Sequence, residues 1–375
     1  MLVWINLGML LLIVFFGLHF KSFSLSNNVA WIDGKDGIRF GHYGIAYSHT
    51  AFPSRESSQE TTGGLSIELA VRPDDSIDDR FKILLSIHAG KDSDQLIIGQ
   101  WRSSLIVMNG DDYDGKKKTP KVGVQNALPP KSNYFININS GESGTFVYIN
   151  GHMRISNGRL VLKIPNETSD AVLVLGNSPY GRHSWTGDIY GLAIYEHALN
   201  SGDTSSHFDQ YSQKHNFSFP RNIDPEVFYT FNEKTGLKAF DHGSKDHHLV
   251  IPSLVKIIKK EILVAPWNEG RLDRQLVQDM VMNLAGFIPP GFFFCALMFH
   301  LGGFYEKHGI LLTVFTCFMI SLSIELAQAW IPSRSSQSLD LIFNTLGGCL
   351  GAILYRQYHQ VVNKVRCRPL QNDGL

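Results

Sequence analysis

The stretch Trp185-Thr186-Gly187-Asp188-Ile189-Tyr190-Gly191-Leu192-Ala193-Ile194-Tyr195 decides how the first half of the chain is read. It is rich in β-branched and aromatic residues, which favour a pleated, packed surface. Alternation puts Ile189, Ala193 and Tyr195 on one face and Tyr190, Leu192 and Ile194 on the other. Both faces carry apolar groups, so this strand is expected at the centre of a sheet. Working outward, further strands are expected at Leu65–Arg72, Phe81–Ile87, Gln95–Ile98, Ser104–Met108, Tyr134–Ile138, Thr145–Ile149 and Ala171–Leu175. Asn109-Gly110, Asn150-Gly151 and Asn157-Gly158 supply turn residues between several of them. Leu65–Arg72 alternates apolar with polar, the pattern of a half-buried strand. No helix-length amphipathic pattern precedes Asn200. Residues 28–215 therefore read as an all-β sandwich.

Outside that domain the chain is apolar. Leu2–Phe20, Met280–Leu301, Ile310–Ile331 and Leu341–Tyr355 carry one charge between them, Glu325. Roughly 20 helical residues cross a hydrocarbon layer, so the fold class is multidomain: a β-sandwich plus a transmembrane bundle of about four helices. Residues 1–20 are expected to be an uncleaved signal anchor. The stretch is long for a signal peptide, lacks a basic start and shows no small-x-small cleavage site. Residues 216–278 bridge the sandwich to the bundle at 279–356, and 357–375 form a basic tail. That tail and Lys307 belong in the cytoplasm by the positive-inside rule. The sandwich is then extracytoplasmic, in a multi-pass plasma (inner) membrane protein whose first partner is the lipid bilayer.

Lys plus Arg and Asp plus Glu both total 34. The zero net charge argues against a nucleic-acid partner. Charged residues make up 18% and hydrophobic ones 43%, which excludes disorder for the bulk of the chain. Cys295, Cys317, Cys349 and Cys367 all lie in the last quarter, so no disulfide framework holds residues 21–279. No zinc-type spacing occurs, and no cofactor is expected. Asp241-His242-Gly243-Ser244-Lys245-Asp246-His247-His248 clusters His and Asp, but Gly-Ser implies a flexible, solvated turn rather than a metal site. Lys256, Lys259 and Lys260 are placed to meet anionic headgroups. Asn166 and Asn216 begin glycosylation sequons.

The bundle carries costly polar residues. Asp279 and Asn283 are four apart, as are Asp340 and Asn344, and each pair shares a helix face. Glu325 and Gln328 do so at three apart. Arg334 lies in the loop between the last two helices. With the expected topology all seven converge at one depth. An ionisable group in a span costs about 3 kcal/mol or more unless paired or wetted. Two readings stand: interhelical glue, or a polar pocket for a headgroup or glycan. No catalytic residue is assigned. The alternative to a binding role is an intramembrane enzyme or transporter using Glu325 and Arg334 on a lipid-linked substrate. In the sandwich, Trp101, Tyr113 and Tyr180 are candidate glycan contacts, whereas Trp185 is expected in the core.

Gly64-Leu65-Ser66-Ile67-Glu68-Leu69-Ala70-Val71-Arg72-Pro73, Tyr148-Ile149-Asn150-Gly151, Leu173-Val174-Leu175-Gly176 and the closing strand to Tyr195, then Ala198-Leu199, occur in a familiar order. They resemble the laminin-G-like, concanavalin-type jelly roll. That resemblance implies a glycan- or protein-binding module. The Glu-x-Asp-x-Glu strand of its glucanases is missing, and a retaining hydrolase needs two carboxyls about 5 Å apart.

A second resemblance rests on Asp279-x-x-x-Asn283-x-x-Gly286-Phe287-Ile288-Pro289-x-Gly291, Glu325-x-x-Gln328, Arg334 and Asp340-x-x-x-Asn344-x-x-Gly347 with Gly351. This pattern resembles the VanZ-like membrane family, with a jelly roll placed between its first and second helices. The resemblance implies an envelope role and tolerance of the glycopeptide teicoplanin; it gives a family and not a reaction. Pro289-Pro290 should kink the second helix, and Gly347, Gly348 and Gly351 allow close packing.

Overall fold

The computed structural model describes residues 1–18, 26–48, 64–74, 79–89, 95–113, 118–165, 171–214, 217, 224–244, 246–260, 262–265, 274–331, 334 and 336–366. The chain divides into two units. One holds Ser24–Lys259, and the other combines Met1–Phe23 with Lys260–Leu375.

The first unit is a two-sheet sandwich. Its elements are β1 (Val29–Trp31), β2 (Ile38–Phe40), β3 (Ala46–Ser48), β4 (Leu65–Pro73), β5 (Phe81–His88), β6 (Gln95–Trp101), β7 (Ser104–Asn109), β8 (Lys121–Val124), β9 (Tyr134–Gly141) and β10 (Gly144–Ile149). β11 (His152–Asn157), β12 (Val172–Leu175), β13 (Gly187–Tyr195), β14 (Val227–Tyr229), β15 (Lys238–Ala239) and β16 (Leu249–Val250) complete it. One sheet has the order β1-β2-β13-β4-β9-β10-β11, with β14 also on β13. The other runs β15-β16-β3-β12-β5-β6-β7-β8. Every pairing is antiparallel among the named strands. β14 to β16 come from the expected bridging segment and extend both sheets.

The main core lies between the sheets. Leu65, Ile67, Leu69 and Val71 of β4 meet Leu85, Ile87, Leu96 and Ile98 there. The β10–β11 turn is Asn150-Gly151 with φ of 52° and 74°. Two successive positive φ values are what a type I′ hairpin requires. Asn150 Oδ1 also accepts the Phe135 N–H at 2.8 Å.

Two expectations change. β13 is central, but its face assignment shifts because the pairing with β4 slips between Ile189 and Gly191. The bulge turns Ile189 to the core with Leu192 and Ile194, and Tyr190 to the other face with Ala193 and Tyr195. β4 is not half-buried either: Ser66 and Glu68 are as buried as its apolar residues. The cause is helix α1 (Ser201–Lys214), laid across the outer face of this sheet. Asn200 caps it, its Oδ1 accepting the N–H groups of Gly202 and Asp203 at 2.8 and 3.0 Å. Phe208 and Tyr211 of α1 pack on Phe135, Phe217 and Phe228.

Beneath α1, Glu68 accepts from Asn137 Nδ2 at 2.8 Å and Tyr195 Oη at 3.0 Å, and pairs with His207 Nδ1 at 2.9 Å. Burial works against a charged His207, but the hydrogen bond and charge of Glu68, with Asp203 beyond, outweigh it and leave the imidazole raised above its ordinary value. A raised folded-state value stabilises fully below the unfolded value near 6.5 and is lost as pH climbs through the folded one. Thermal unfolding of the wild-type chain should therefore fall in this window as pH rises from 6 to 9. His207→Gln should flatten that dependence in calorimetry, and an unchanged slope would refute the assignment.

The second unit is helical: α2 (Leu2–Gly17), α3 (Arg274–Leu301), the short α4 (Gly303–Lys307), α5 (Gly309–Gln328) and α6 (Ser338–Arg366). Among the described residues, three helices are long and apolar enough to cross a membrane: Leu276–Leu301, Gly309–Gln328 and Ser338–Val365. α2 is a shorter apolar helix of 16 residues, about 24 Å, and the last two residues of the expected first span lie outside the described residues. α6 continues to Arg366, through the start of the expected tail; Cys367 lies outside the described residues. α3 runs unbroken through Pro289 and Pro290. α3 and α6 cross closely at Gly291, Gly347, Gly348 and Gly351, where any added Cβ would overlap the partner helix's backbone or Cys317.

Candidate functional site

The helical unit gathers most of the expected polar residues into one seam. Asn283 on α3 donates its Nδ2 to Asp340 Oδ1 on the first turn of α6 at 2.6 Å. One turn along α6, Asn344 Nδ2 donates to Ser321 Oγ on α5 at 3.0 Å. One turn along α5 from Ser321, Glu325 Oε2 accepts the N–H of Gln337, at the entry to α6, at 2.8 Å. These contacts join three apolar helices. Glu325 is 1% exposed and Asn344 6%. Such burial is tolerable only with partners, since an orphaned polar group costs about 1–3 kcal/mol.

The segment before α6 is tied down separately. Ser336 is buried, and its Oγ accepts the Leu263 N–H at 3.0 Å. Val264 N donates to Ser336 O at 2.9 Å, and Ser338 N returns a bond to Val264 O at 3.1 Å. Lys260 lies over the Trp330 ring in the same unit. This short ladder fixes where α6 begins, and so where Asp340 and Asn344 sit.

The other three expected members take different places. Gln328 instead donates to Gly17 O at the end of α2 at 2.8 Å, a bond that ties two helices together. Asp279 is exposed on α3, one turn from Asn283. Arg334 is exposed in the loop, where its N–H donates to Ile331 O at 3.0 Å. Ser321, Ser336 and Gln337 escaped the sequence reading. Only Ser321 left a signal there, four residues before Glu325. Asn6 also escaped: buried on α2, it donates to Phe293 O at 3.1 Å.

In the sandwich, Trp101 is 44% exposed at the end of β6, with the Arg102 guanidinium over its ring. Tyr113 is half-buried; its hydroxyl accepts from Gln95 Nε2 at 2.7 Å and its ring lies 4.4 Å from that of His183. Tyr180 departs from expectation. It is buried, its hydroxyl is 3.2 Å from His88 Nε2, and Arg182 and Lys259 sit over its ring. Its face is closed to a sugar. Trp185 is a core residue at 0% exposure.

Where a solvated turn was expected, Asp241 is buried and bonded to backbone instead. Its Oδ1 accepts the N–H groups of Phe228 and Gly243 at 2.7 and 2.9 Å, and its Oδ2 that of His247 at 2.9 Å. Its carboxylate is consumed by backbone. Among the described residues no group of three His, Cys, Asp or Glu could hold a metal ion.

With this geometry in place, comparison with known proteins gives two matches. Residues 226–362 match the VanZ/LLP1 family. Residues 45–204 match the concanavalin A-like lectin/glucanases superfamily. The VanZ-like match starts at 226, ahead of β14, and so reaches further upstream than the residues that carried the resemblance. No curated protein matches the chain. Among solved structures, a Bacteroides ovatus protein provisionally named for carbohydrate binding is 13% identical, with a TM-score of 0.40 and coverage of 63% of each chain. The chain thus spans under two-thirds of that protein's length. The CBM40 module of the Ruminococcus gnavus IT-sialidase, bound to α2,3-sialyllactose, is 12% identical, with a TM-score of 0.33 over 46% of this chain and 95% of that one. A SAP-like pentraxin of Limulus polyphemus is 11% identical, with a TM-score of 0.36 over 64% and 100%. At such identities no ligand carries over to this chain.

Proposed function

We propose that this chain is a multi-pass cell-envelope protein of the plasma (inner) membrane whose VanZ-like helices bind the polar end of an envelope lipid or glycan in the seam. The jelly roll is extracytoplasmic and recognises a glycan or an envelope protein, and the C-terminus is cytoplasmic. Tolerance of a teicoplanin-type glycopeptide would follow from occupying or masking that envelope component. One observation carries the reading: a polar seam built from α3, α5 and α6 among helices otherwise apolar enough to span a membrane. Burying this many polar groups within spans is costly, and that expense favours a ligand over packing alone.

The alternative, an intramembrane enzyme or transporter using Glu325 and Arg334, has less support. Glu325 Oε2 is engaged by the Gln337 N–H, a use suited to holding a loop. Glu325→Gln keeps an oxygen for that N–H, so the full chain should stay assembled in detergent, with lipid retention by native mass spectrometry changed less than about threefold. Loss of all lipid-dependent function with assembly intact would favour Glu325 chemistry instead.

A further inference from the structure

Two polar bonds near its ends hold α2 to its neighbours. Asn6 Nδ2 donates to Phe293 O on α3 at 3.1 Å, and Gln328 Nε2 on α5 donates to Gly17 O at 2.8 Å. At Gly17 the helices α2 and α5 come so close that an added Cβ would lie 2.9 Å from Ile324 Cγ2. Between the two pins α2 and α5 stand apart, and a groove of about 460 Å³ opens between them. Leu10, Val14 and Leu18 share one helix face and form one wall; Phe315, Met319 and Ile324 belong to the other. Thr316 and Ser323 also line it, but their hydroxyls donate to their own helix, to Leu312 O and Met319 O at 2.8 and 2.7 Å. Among the described residues, its walls therefore offer an occupant apolar contact and no free hydroxyl donor.

Size selects the occupant. From Phe315 to Ile324 the wall runs about 14 Å along α5. A helix about 10 Å across would need about 1,100 Å³ over that length, more than twice what is open. A methylene fills about as much space as a water molecule, about 30 Å³, so about 15 fit in a row, as in one fatty acyl chain. α5 is long and apolar enough to cross a membrane, so a gap along it opens toward such chains. Left empty, it would forfeit dispersion contacts along both walls. We propose that the groove between α2 and α5 binds one acyl chain of a bilayer phospholipid and holds it more firmly than the other faces of the unit do. The seam's bonds lie between α5 and the start of α6, so this site stands independently of the headgroup reading.

The test uses the full chain with phosphatidylglycerol carrying a photoactivatable diazirine in one acyl chain. After washing in detergent and illumination, the label is mapped by peptide mass spectrometry. It should concentrate on the groove walls, at about tenfold or more over Leu346 and Leu350, which are exposed on α6. Val14→Phe and Ser323→Phe put a ring into the groove, and each should cut the retained label by about tenfold. Leu12→Phe, exposed on the opposite side of α2, should leave it unchanged. Label spread evenly over the groove and α6 overturns the inference, as does retention that survives both filling variants. If neither filling variant assembles, the wild-type map decides alone. Competition by unlabelled phosphatidylglycerol, and not by a polyprenyl phosphate, supports the acyl chain; the reverse order overturns it in favour of an isoprenoid.

Discussion

Trp185→Ala should lower the unfolding temperature of the sandwich by about 6–20 °C. Trp185 is fully buried beside Phe40, with ring centroids 6.5 Å apart. Its backbone N–H donates to Gly176 O at 2.8 Å, and its Nε1 donates to Gln100 Oε1 at 2.7 Å. Truncating a core aromatic costs about 3–5 kcal/mol, and each kcal/mol moves a domain of this size by about 2–4 °C. The indole's partner adds to the loss, because Gln100 is itself buried and its oxygen would have no donor. Trp185→Phe should recover most of the packing but not that bond, and so fall between wild type and alanine. Calorimetry on the full chain separates the three. An alanine variant within 2 °C of wild type would mean that this ring is not packed, and would return it to the surface aromatics open to sugars.

That residue also shows what the sequence could and could not say. A tryptophan just ahead of an apolar strand reads as core because nothing else nearby can fill so large a volume, and the structure agrees. Tyr180 carries no comparable signal. Its neighbours Ser178, Pro179 and Gly181 read as an exposed loop, and only the fold brings His88, Arg182 and Lys259 around its ring. Glu68 and Ser66 looked solvent-facing because alternation reports one sheet in isolation, whereas a helix more than 130 residues later covers that face. The bulge at Tyr190 is invisible for a related reason: register depends on the partner strand, not on the strand itself. Along the helices, pairs four apart put Asp279 with Asn283 and Asp340 with Asn344 on common faces without any tertiary knowledge. Their partners across the bundle were not readable. Ser321 sits in an apolar helix where a hydroxyl more often bonds the preceding turn, as Thr313 and Thr316 do here.

The same crossing that aligns these faces sets the second large effect. Gly351→Val should prevent α3 and α6 from docking, and Gly348→Val should force α5 away from α6. At Gly351 an added Cβ would overlap the backbone of Ile288 and Phe292, and at Gly348 it would reach 2.6 Å from Cys317 Cβ and Sγ. At Gly351 the atoms met are backbone, which cannot rotate away as a side chain can, so α3 and α6 must separate, at more than the usual cost of about 1–3 kcal/mol for overpacking. Separation also breaks the 2.6 Å bond from Asn283 to Asp340, so the seam fails with the packing. Cys295 and Cys317 report the event, since both are buried in the native unit. In wild-type protein they should resist maleimide; in either valine variant they should label within minutes. Gly286→Val is the control, because nothing lies within 4 Å of a Cβ built there. It should label like wild type and keep its lipid retention. Equal labelling of Gly286→Val and Gly351→Val would show that helix propensity, not the α3–α6 approach, governs assembly, and the seam would lose the geometry on which its binding role depends.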